Sequence, residues 1–535
     1  MSYTAHRDTF VLDNLPPAAD WPEFLFDQPE LQFPERLNAT TQLLDQAITE
    51  GHGDRPAIVG QDLHWNYREL QAVVNRLARV LVEDLGLVPG NRVLLRGGNS
   101  PMLAASWLAV IKAGGVAVGT MPLLRSKELK DIAKLAQVSH ALCDASLAEE
   151  LELARQESPH LQKVMYFGEG GNLEAAMAGK PDTFEAVDTA ATDPALIGFT
   201  SGTTGVPKGT VHFHRDVMAM CEVFPRHCLK PTADDVFIGT PPLAFTFGLG
   251  GMLAFPLWAR ASTILIERLA PEPLMKAIQD HRATICFTSP TAYRQMANLV
   301  DRYDISSLKK CVSAGEALPD DTRRRWREAS GIEIHDGIGG TELIHIYIAS
   351  SPEDFRAGSI GKVLPGYRAI VVDDDMNPLP PGEVGMLAVK GPTGCRYLAD
   401  DRQKNYVRNG WNLPGDAFWM DEDGYFHYVA RVDDIIVTSG YNVSSPEVEW
   451  ALLAHPAVAE CGVVGVPDDD RGQIIRAFVV LKPGHQGNDA MTAELQKFVK
   501  ETVAPYKYPR SIRYVDALPR TESGKLQRHR LKSEG

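Results

Sequence analysis

Positive charge is scarce in this 535-residue chain: 54 lysines and arginines stand against 69 aspartates and glutamates, a formal net charge of −15. Nucleic acid and anionic membrane both reward a basic surface, so neither is expected as a partner. Cysteine is sparse and unpatterned. Its seven positions (143, 221, 228, 286, 311, 395 and 461) are odd in number and include no C-x-x-C pair, which disfavours a disulfide framework or a thiolate zinc site and fits a reducing, cytoplasmic compartment. The N-terminus lacks a basic segment followed by an apolar core, so no secretory leader is expected. Uninterrupted apolar runs are missing too. Residues 101–124 carry Lys112, Gly114, Gly115 and Pro122, and residues 243–259 are short and glycine-rich, so both are expected in a buried core and not in a membrane. No internal repeat is visible.

What is present is the composition of a globular protein, 44% hydrophobic and 23% charged, in a chain too long for one ordinary core. Leu70, Val73, Val74, Leu77 and Leu81 follow a helical period, and residues 92–96 then read as a strand. Such alternation predicts an α/β fold whose large N-terminal domain, residues 1–432, has parallel-type sheets with helices. Over about 358–428 short strands punctuated by Pro380-Pro381-Gly382 and Gly391-Pro392 predict a β-rich subdomain. From 433 to 535 the pattern resets to a small α+β domain: Ser445 and Pro446 read as N-cap and first residue of a helix, followed by strands at 461–466, 477–481 and 512–515 and a helix around Leu495.

The chemistry begins with Phe199-Thr-Ser-Gly-Thr-Thr-Gly-Val-Pro-Lys-Gly-Thr210. Small residues admit a ligand close to the backbone, N–H and O–H groups donate to anionic oxygens, and Lys208 adds a compact charge, a set suited to a phosphate chain. It is not a P-loop, which needs its lysine after a glycine, because Pro207 precedes Lys208 and Gly209 follows it. Four more segments belong with it. In Asp336-Gly-Ile-Gly-Gly-Thr-Glu342 a carboxylate beside a triphosphate suits Mg²⁺, although a Thr-Glu pair is also an ordinary helix cap. In Trp411-Asn-Leu-Pro-Gly-Asp416 the aspartate follows a turn and suits ribose hydroxyls. Residues 430–440 form a polar joint where a hinge belongs, and Pro519-Arg-Thr-Glu-Ser-Gly-Lys525 lies close to the C-terminus.

Together, in this order, the five segments resemble the adenylate-forming superfamily of acyl-CoA synthetases, carrier-loading adenylation domains and luciferases. The resemblance implies that Thr200, Ser201, Gly202, Thr203, Thr204 and Lys208 bind the ATP β- and γ-phosphates, and that Thr341 and Glu342 meet the α-phosphate and Mg²⁺. It assigns Asp416 and Arg431 to the ribose, and Ala314, Gly315, Glu316, Asp336 and Gly337 to adenine. Asp433 becomes the hinge, Lys525 the adenylation lysine and Gly440 part of the loop facing the thiol. Ile338 stands where many members have tyrosine, Leu413-Pro414 replaces Arg-Thr, and Ala430 replaces a glycine.

Within the superfamily the chain looks most like the aryl-CoA ligases of the benzoate and 2-aminobenzoate type. That resemblance implies ATP, Mg²⁺ and coenzyme A as cofactors and an aromatic carboxylic acid as substrate, held between Phe245, Ala314, Gly315 and Ile338 with His345 as a polar contact. Phe245 and His345 also read as ordinary core residues. A stand-alone adenylation enzyme loading a carrier protein shares every nucleotide motif, and a luciferase-like oxygenase acts on the same kind of adenylate. A non-catalytic acyl-nucleotide binding protein is expected to have lost Lys525 or Glu342, and both are present. Monomer and homodimer are both open.

Overall fold

Short β-branched runs between amphipathic helices set up two large sheets, seen in a computed structural model that describes residues 3–201, 207–267, 269–316, 318–438, 441–468, 472–503, 505–520 and 526–533. For residues 201, 433, 437, 441, 442 and 472 it describes the backbone alone. The first sheet runs Lys163–Phe167, His140–Asp144, Arg92–Arg96, Val116–Thr120, Pro194–Ser201 and Pro207–Phe213 in spatial order. All its pairings are parallel except the last, an antiparallel hairpin in which Thr200 lies opposite Lys208. Its inner strands Arg92–Arg96 and His140–Asp144 are buried on both faces, as parallel strands covered by helices are.

The second sheet has nine strands. Its centre, from Ile334–Gly339 through Lys310–Ser313, Ile285–Thr288, Val236–Gly239 and Ser262–Ile264 to Pro56–Val59, is parallel, and antiparallel strands close both edges. Helices such as Tyr67–Arg79, with a capping box between Asn66 and Glu69, cover these sheets. The parallel-sheet α/β fold is as the sequence predicts.

The chain packs as two compact units, one of residues 1–369 with 389–414 and the other of residues 370–388 with 415–535. Both sheets belong to the first. In the second, Asp416–Met420 pairs with Phe426–Arg431 and Ile435–Thr438 with Tyr441–Ser444, both antiparallel. Val458–Asp468, Gly472–Leu481 and Ser511–Tyr514 form a three-stranded sheet there. Val448, Leu452, Val463, Ala477, Leu495 and Val499 fill its core. One cap differs from expectation: Ser444, not Ser445, caps the helix Ser445–Leu453, its hydroxyl accepting from Glu447 N at 3.4 Å, so Pro446 falls one position later. A β-conformation residue is needed at the cap, and Ser444 still belongs to the preceding strand.

Residues 101–121 and most of 243–259 are core, and among the described residues no helix is long and apolar enough to cross a membrane. Lys112 ends the nearly all-buried helix Pro101–Lys112 because its Nζ donates to Asp45 Oδ1 at 2.7 Å, a pairing that makes burial of the charge tolerable. Asp45→Ala is expected to lower the midpoint of urea unfolding by an amount equivalent to about 2 kcal/mol, the lower side of the cost of orphaning a buried charge because Asp45 still touches solvent. Adding Lys112→Met should recover most of the loss. An unchanged midpoint in Asp45→Ala would show that Lys112 needs no partner.

Candidate active site

The paired strands Pro194–Ser201 and Pro207–Phe213 lie beside the end of the second sheet. Gly198 makes the approach possible: a Cβ there would lie 2.6 Å from Thr341 Cγ2. Thr341 opens a single 3-10 turn, Thr341–Leu343, that leaves the strand Ile334–Gly339 and ends at Ile344. Ile344 has φ +66°. A β-branched residue in that region costs on the order of 1–3 kcal/mol and persists only where its surroundings dictate it.

Those surroundings are dense. The Thr341 carbonyl accepts from Ile344 N at 3.1 Å and from His212 Nε2 at 2.6 Å. The Leu343 carbonyl accepts from His345 N at 2.9 Å and from the Thr393 hydroxyl at 2.8 Å. The turn therefore holds Thr341 and Glu342 in one conformation.

Lys208 and Glu342 meet through a residue that the sequence does not single out. Lys208 Nζ donates to Tyr397 Oη at 2.9 Å, and Tyr397 Oη donates to Glu342 Oε1 at 2.6 Å, with the lysine and carboxylate themselves 4.0 Å apart. Burial, reinforced by the Glu342 carboxylate, holds the Tyr397 phenol well above its ordinary pKa, so it stays protonated and can accept and donate at once. Residues 396–398 reach this place by running beside the hairpin: Val211 N donates to Arg396 O and Leu398 N to Gly209 O, each at 2.8 Å. Thr200 Oγ1, on the residue paired with Lys208, is buried without a hydrogen-bond partner. A cation, a carboxylate and an unsatisfied hydroxyl suit a polyphosphate, and the single carboxylate suits a Mg²⁺ ion that shares phosphate oxygens.

The residues expected around adenine lie in or directly after strands of the second sheet. Ala314 is buried directly after Lys310–Ser313, and Gly315 has φ +90° with open space where a Cβ would point. Glu316 accepts from Thr291 Oγ1 at 3.4 Å. Asp336 is buried against Arg323 Nη2 at 3.4 Å, and burial pushes its pKa up to about 7 against the pull of that guanidinium. Gly337 packs where a Cβ would meet Ile346 at 2.7 Å. In the second unit Arg431 Nη1 donates to Asp416 Oδ1 at 3.0 Å, so the two residues expected at the ribose do form a pair. Gly202, Thr203, Thr204, Gly440 and Lys525 lie outside the described residues, as do the side chains of Ser201 and Asp433.

Of the residues expected to wall the acid, Phe245 is half-buried just before the helix Thr246–Leu249, and Ile338 is half-buried opposite Ile348. His345 is enclosed by rings, with Phe255 at 4.6 Å and Phe224 and Phe247 each at 5.7 Å. Burial drives its pKa down to about 3, and both nitrogens lack a hydrogen-bond partner, the Phe247 backbone approaching without hydrogen-bond geometry. Gly250 and Gly251 let a helix close on this cluster: Cβ atoms there would lie 2.5 Å from His345 Cδ2 and 2.4 Å from the Phe287 ring.

The family model for AMP-binding enzymes matches residues 44–397, and that for their C-terminal domain matches residues 447–525. The chain belongs to the AMP-binding enzyme family. This AMP-binding enzyme is a member of the adenylate-forming superfamily that includes the acyl-CoA synthetases. It is 35% identical to a benzoate–CoA ligase of Thauera aromatica, over 94% of this chain and 97% of that one. It is 33% identical to the mitochondrial acyl-coenzyme A synthetase ACSM3 of Mus musculus, over 94% and 92%. The crystal structure of the anthranilate CoA ligase AuaEII in complex with anthranoyl-AMP superposes with a TM-score of 0.89 at 32% identity, covering 95% of this chain and 99% of that one.

Tyr397→Phe in this AMP-binding enzyme is expected to raise the KM for ATP about 10-fold, the scale of one lost charge-assisted hydrogen bond, while the melting temperature changes little. An unchanged KM would show that the bridge between Lys208 and Glu342 is incidental to nucleotide binding.

Proposed function

We propose that the enzyme is an ATP-dependent aromatic acid–CoA ligase acting on 2-aminobenzoate or benzoate. The observation that carries this is the Lys208–Tyr397–Glu342 cluster at the end of the Thr/Ser/Gly hairpin, a polyphosphate-binding set in a chain similar over nearly its whole length to benzoate and anthranilate CoA ligases. The ring cluster of Phe247, Phe255 and Phe287, with Phe245 two residues before it in the chain, supports a flat acid. A second reading, an aliphatic acid in the same slot, is favoured by the similarity to the acyl-coenzyme A synthetase ACSM3.

The acid carboxylate attacks the α-phosphorus of ATP, forming the acyl–O–P bond and breaking the bond to pyrophosphate. The attacking, bridging and leaving oxygens all carry negative charge, and fixed donors aimed at them lower the barrier. Lys208 and the 200–204 hydroxyls hold the β- and γ-phosphates, with Tyr397 fixing the lysine. Thr341 meets the α-phosphate, and Glu342 would hold Mg²⁺, which when bound neutralises phosphate charge. Asp416 and Arg431 hold the ribose, and Ala314 to Glu316 with Asp336 and Gly337 line the adenine. Ala314, Ile338 and Phe245 orient the ring of the acid, and His345 backs them.

In the second half-reaction the CoA thiol, losing its proton, attacks the acyl carbon and expels AMP. Lys525 and the Gly440 loop serve the two half-reactions in turn, as a C-terminal domain of residues 433–535 rotates about Asp433. A reducing, cytoplasmic setting belongs to the same proposal and rests on the cysteine pattern.

AMP release measured with ATP, Mg²⁺ and CoA should be fastest with benzoate or 2-aminobenzoate, slower with 4-hydroxybenzoate and a phenylalkanoate, and slowest with octanoate. Preference for octanoate would replace the aromatic reading with the aliphatic one. Lys525→Ala should lose most adenylate formation yet retain thiolysis of a supplied acyl-adenylate; equal loss of both would contradict the division of labour.

A further inference from the structure

The strained turn that carries Thr341 and Glu342 is gripped from behind by a side chain to which no part of the reaction has been assigned. His212, fully buried in the strand Pro207–Phe213, sits 2.6 Å through Nε2 from the Thr341 carbonyl oxygen. A carbonyl only accepts, so Nε2 carries the hydrogen. Beyond the opposite edge of the ring lies Asp216, its Oδ2 3.6 Å from His212 Nδ1, too far for a hydrogen bond, and Nδ1 is buried without a partner. Asp216 is held through one oxygen: its Oδ2 accepts from Phe213 N at 2.9 Å and from Arg396 Nη2, and the Arg396 guanidinium stacks 3.9 Å over the Phe213 ring. Asp216 and Arg396 are fully buried, and they are separated by 180 positions in the chain.

The consequence is mechanical. Strand 207–213 carries Lys208 at its start and His212 near its end, alternate members of one strand with Thr210 between them. Residues 396–398 run alongside it and bring Tyr397 to Lys208 and Arg396 to Asp216. One strand thus holds the 341–342 turn twice: Lys208 through Tyr397 to the Glu342 side chain, and His212 directly to the Thr341 backbone. Without His212 the Thr341 carbonyl keeps one donor, Ile344 N, which belongs to the strained residue itself.

We infer that His212, enclosed beside the Asp216–Arg396 pair, is a positioning residue for the nucleotide site: its bond to the Thr341 carbonyl fixes the turn that aims the Thr341 hydroxyl and the Glu342 carboxylate. The inference rests on the reading of Thr341 and Glu342 as phosphate- and metal-facing groups. It is distinct from a packing role because glutamine, whose side-chain amide can reach the place of Nε2 with an N–H, should substitute where an apolar residue of similar size should not.

The test compares His212→Gln, His212→Leu and Glu342→Ala in the full chain, measuring MgATP affinity by calorimetry, melting temperature, and KM for ATP against kcat. His212→Leu is expected to weaken MgATP binding and raise the KM for ATP about 10-fold, the scale of one buried hydrogen bond, while His212→Gln stays within about 3-fold of the wild type. Equal loss in both His212 variants, accompanied by a matching fall in melting temperature, would assign His212 to packing and overturn the inference. Wild-type affinity in His212→Leu would also overturn it, provided Glu342→Ala weakens binding. Wild-type affinity in Glu342→Ala would remove the site reading on which the inference rests.

Discussion

Everything at this site depends on a turn that the chain does not adopt cheaply. Ile344 at φ +66° is a β-branched residue with a positive φ, and the turn exists because buried donors from distant parts of the chain satisfy its carbonyls. The benefit is that Glu342 is presented toward Lys208 and Tyr397 while its backbone stays fixed. Preorganisation of this kind matters in phosphoryl chemistry, where the protein contributes positioning and charge more than covalent steps.

The sheets explain how that placement is achieved. Phe199 and Lys208 lie on a hairpin at the edge of an otherwise parallel sheet, and Thr341 follows a strand of a second one. Gly198 permits the two to touch. A methyl group there would collide with Thr341 at 2.6 Å, so the glycine is required by contact and not by turn geometry. The polypeptide then returns nearly 190 residues later to lay Tyr397 across the gap.

Much of this is legible in the sequence alone. The helical period of Leu70 to Leu81, the strand at 92–96 and the interrupted apolar segments around Lys112 all appear where the spacing put them. Local signals sufficed because each depends on residues within one element. The helix cap at Ser444 was misplaced by one position because two serines precede Pro446 and the sequence does not reveal which of them still pairs in the strand. His212 and Tyr397 were invisible for a different reason: their roles arise from partners 129 and 189 positions away, and nothing in their own neighbourhoods marks them. Of the residues expected to wall the acid, His345 illustrates how a polar letter can be core. Its nitrogens lie among phenylalanine rings, and burial keeps it neutral.

The central claim is that the cluster formed by Lys208, Tyr397, Thr341 and Glu342 supports attack of a carboxylate on the α-phosphorus of ATP. Exchange of labelled pyrophosphate into ATP, measured with benzoate or 2-aminobenzoate and Mg²⁺ but without CoA, tests it directly. The account predicts exchange that requires the acid and proceeds without the thiol. Absence of exchange, together with release of ADP and phosphate when CoA is added, would place the attack on the γ-phosphorus and contradict it.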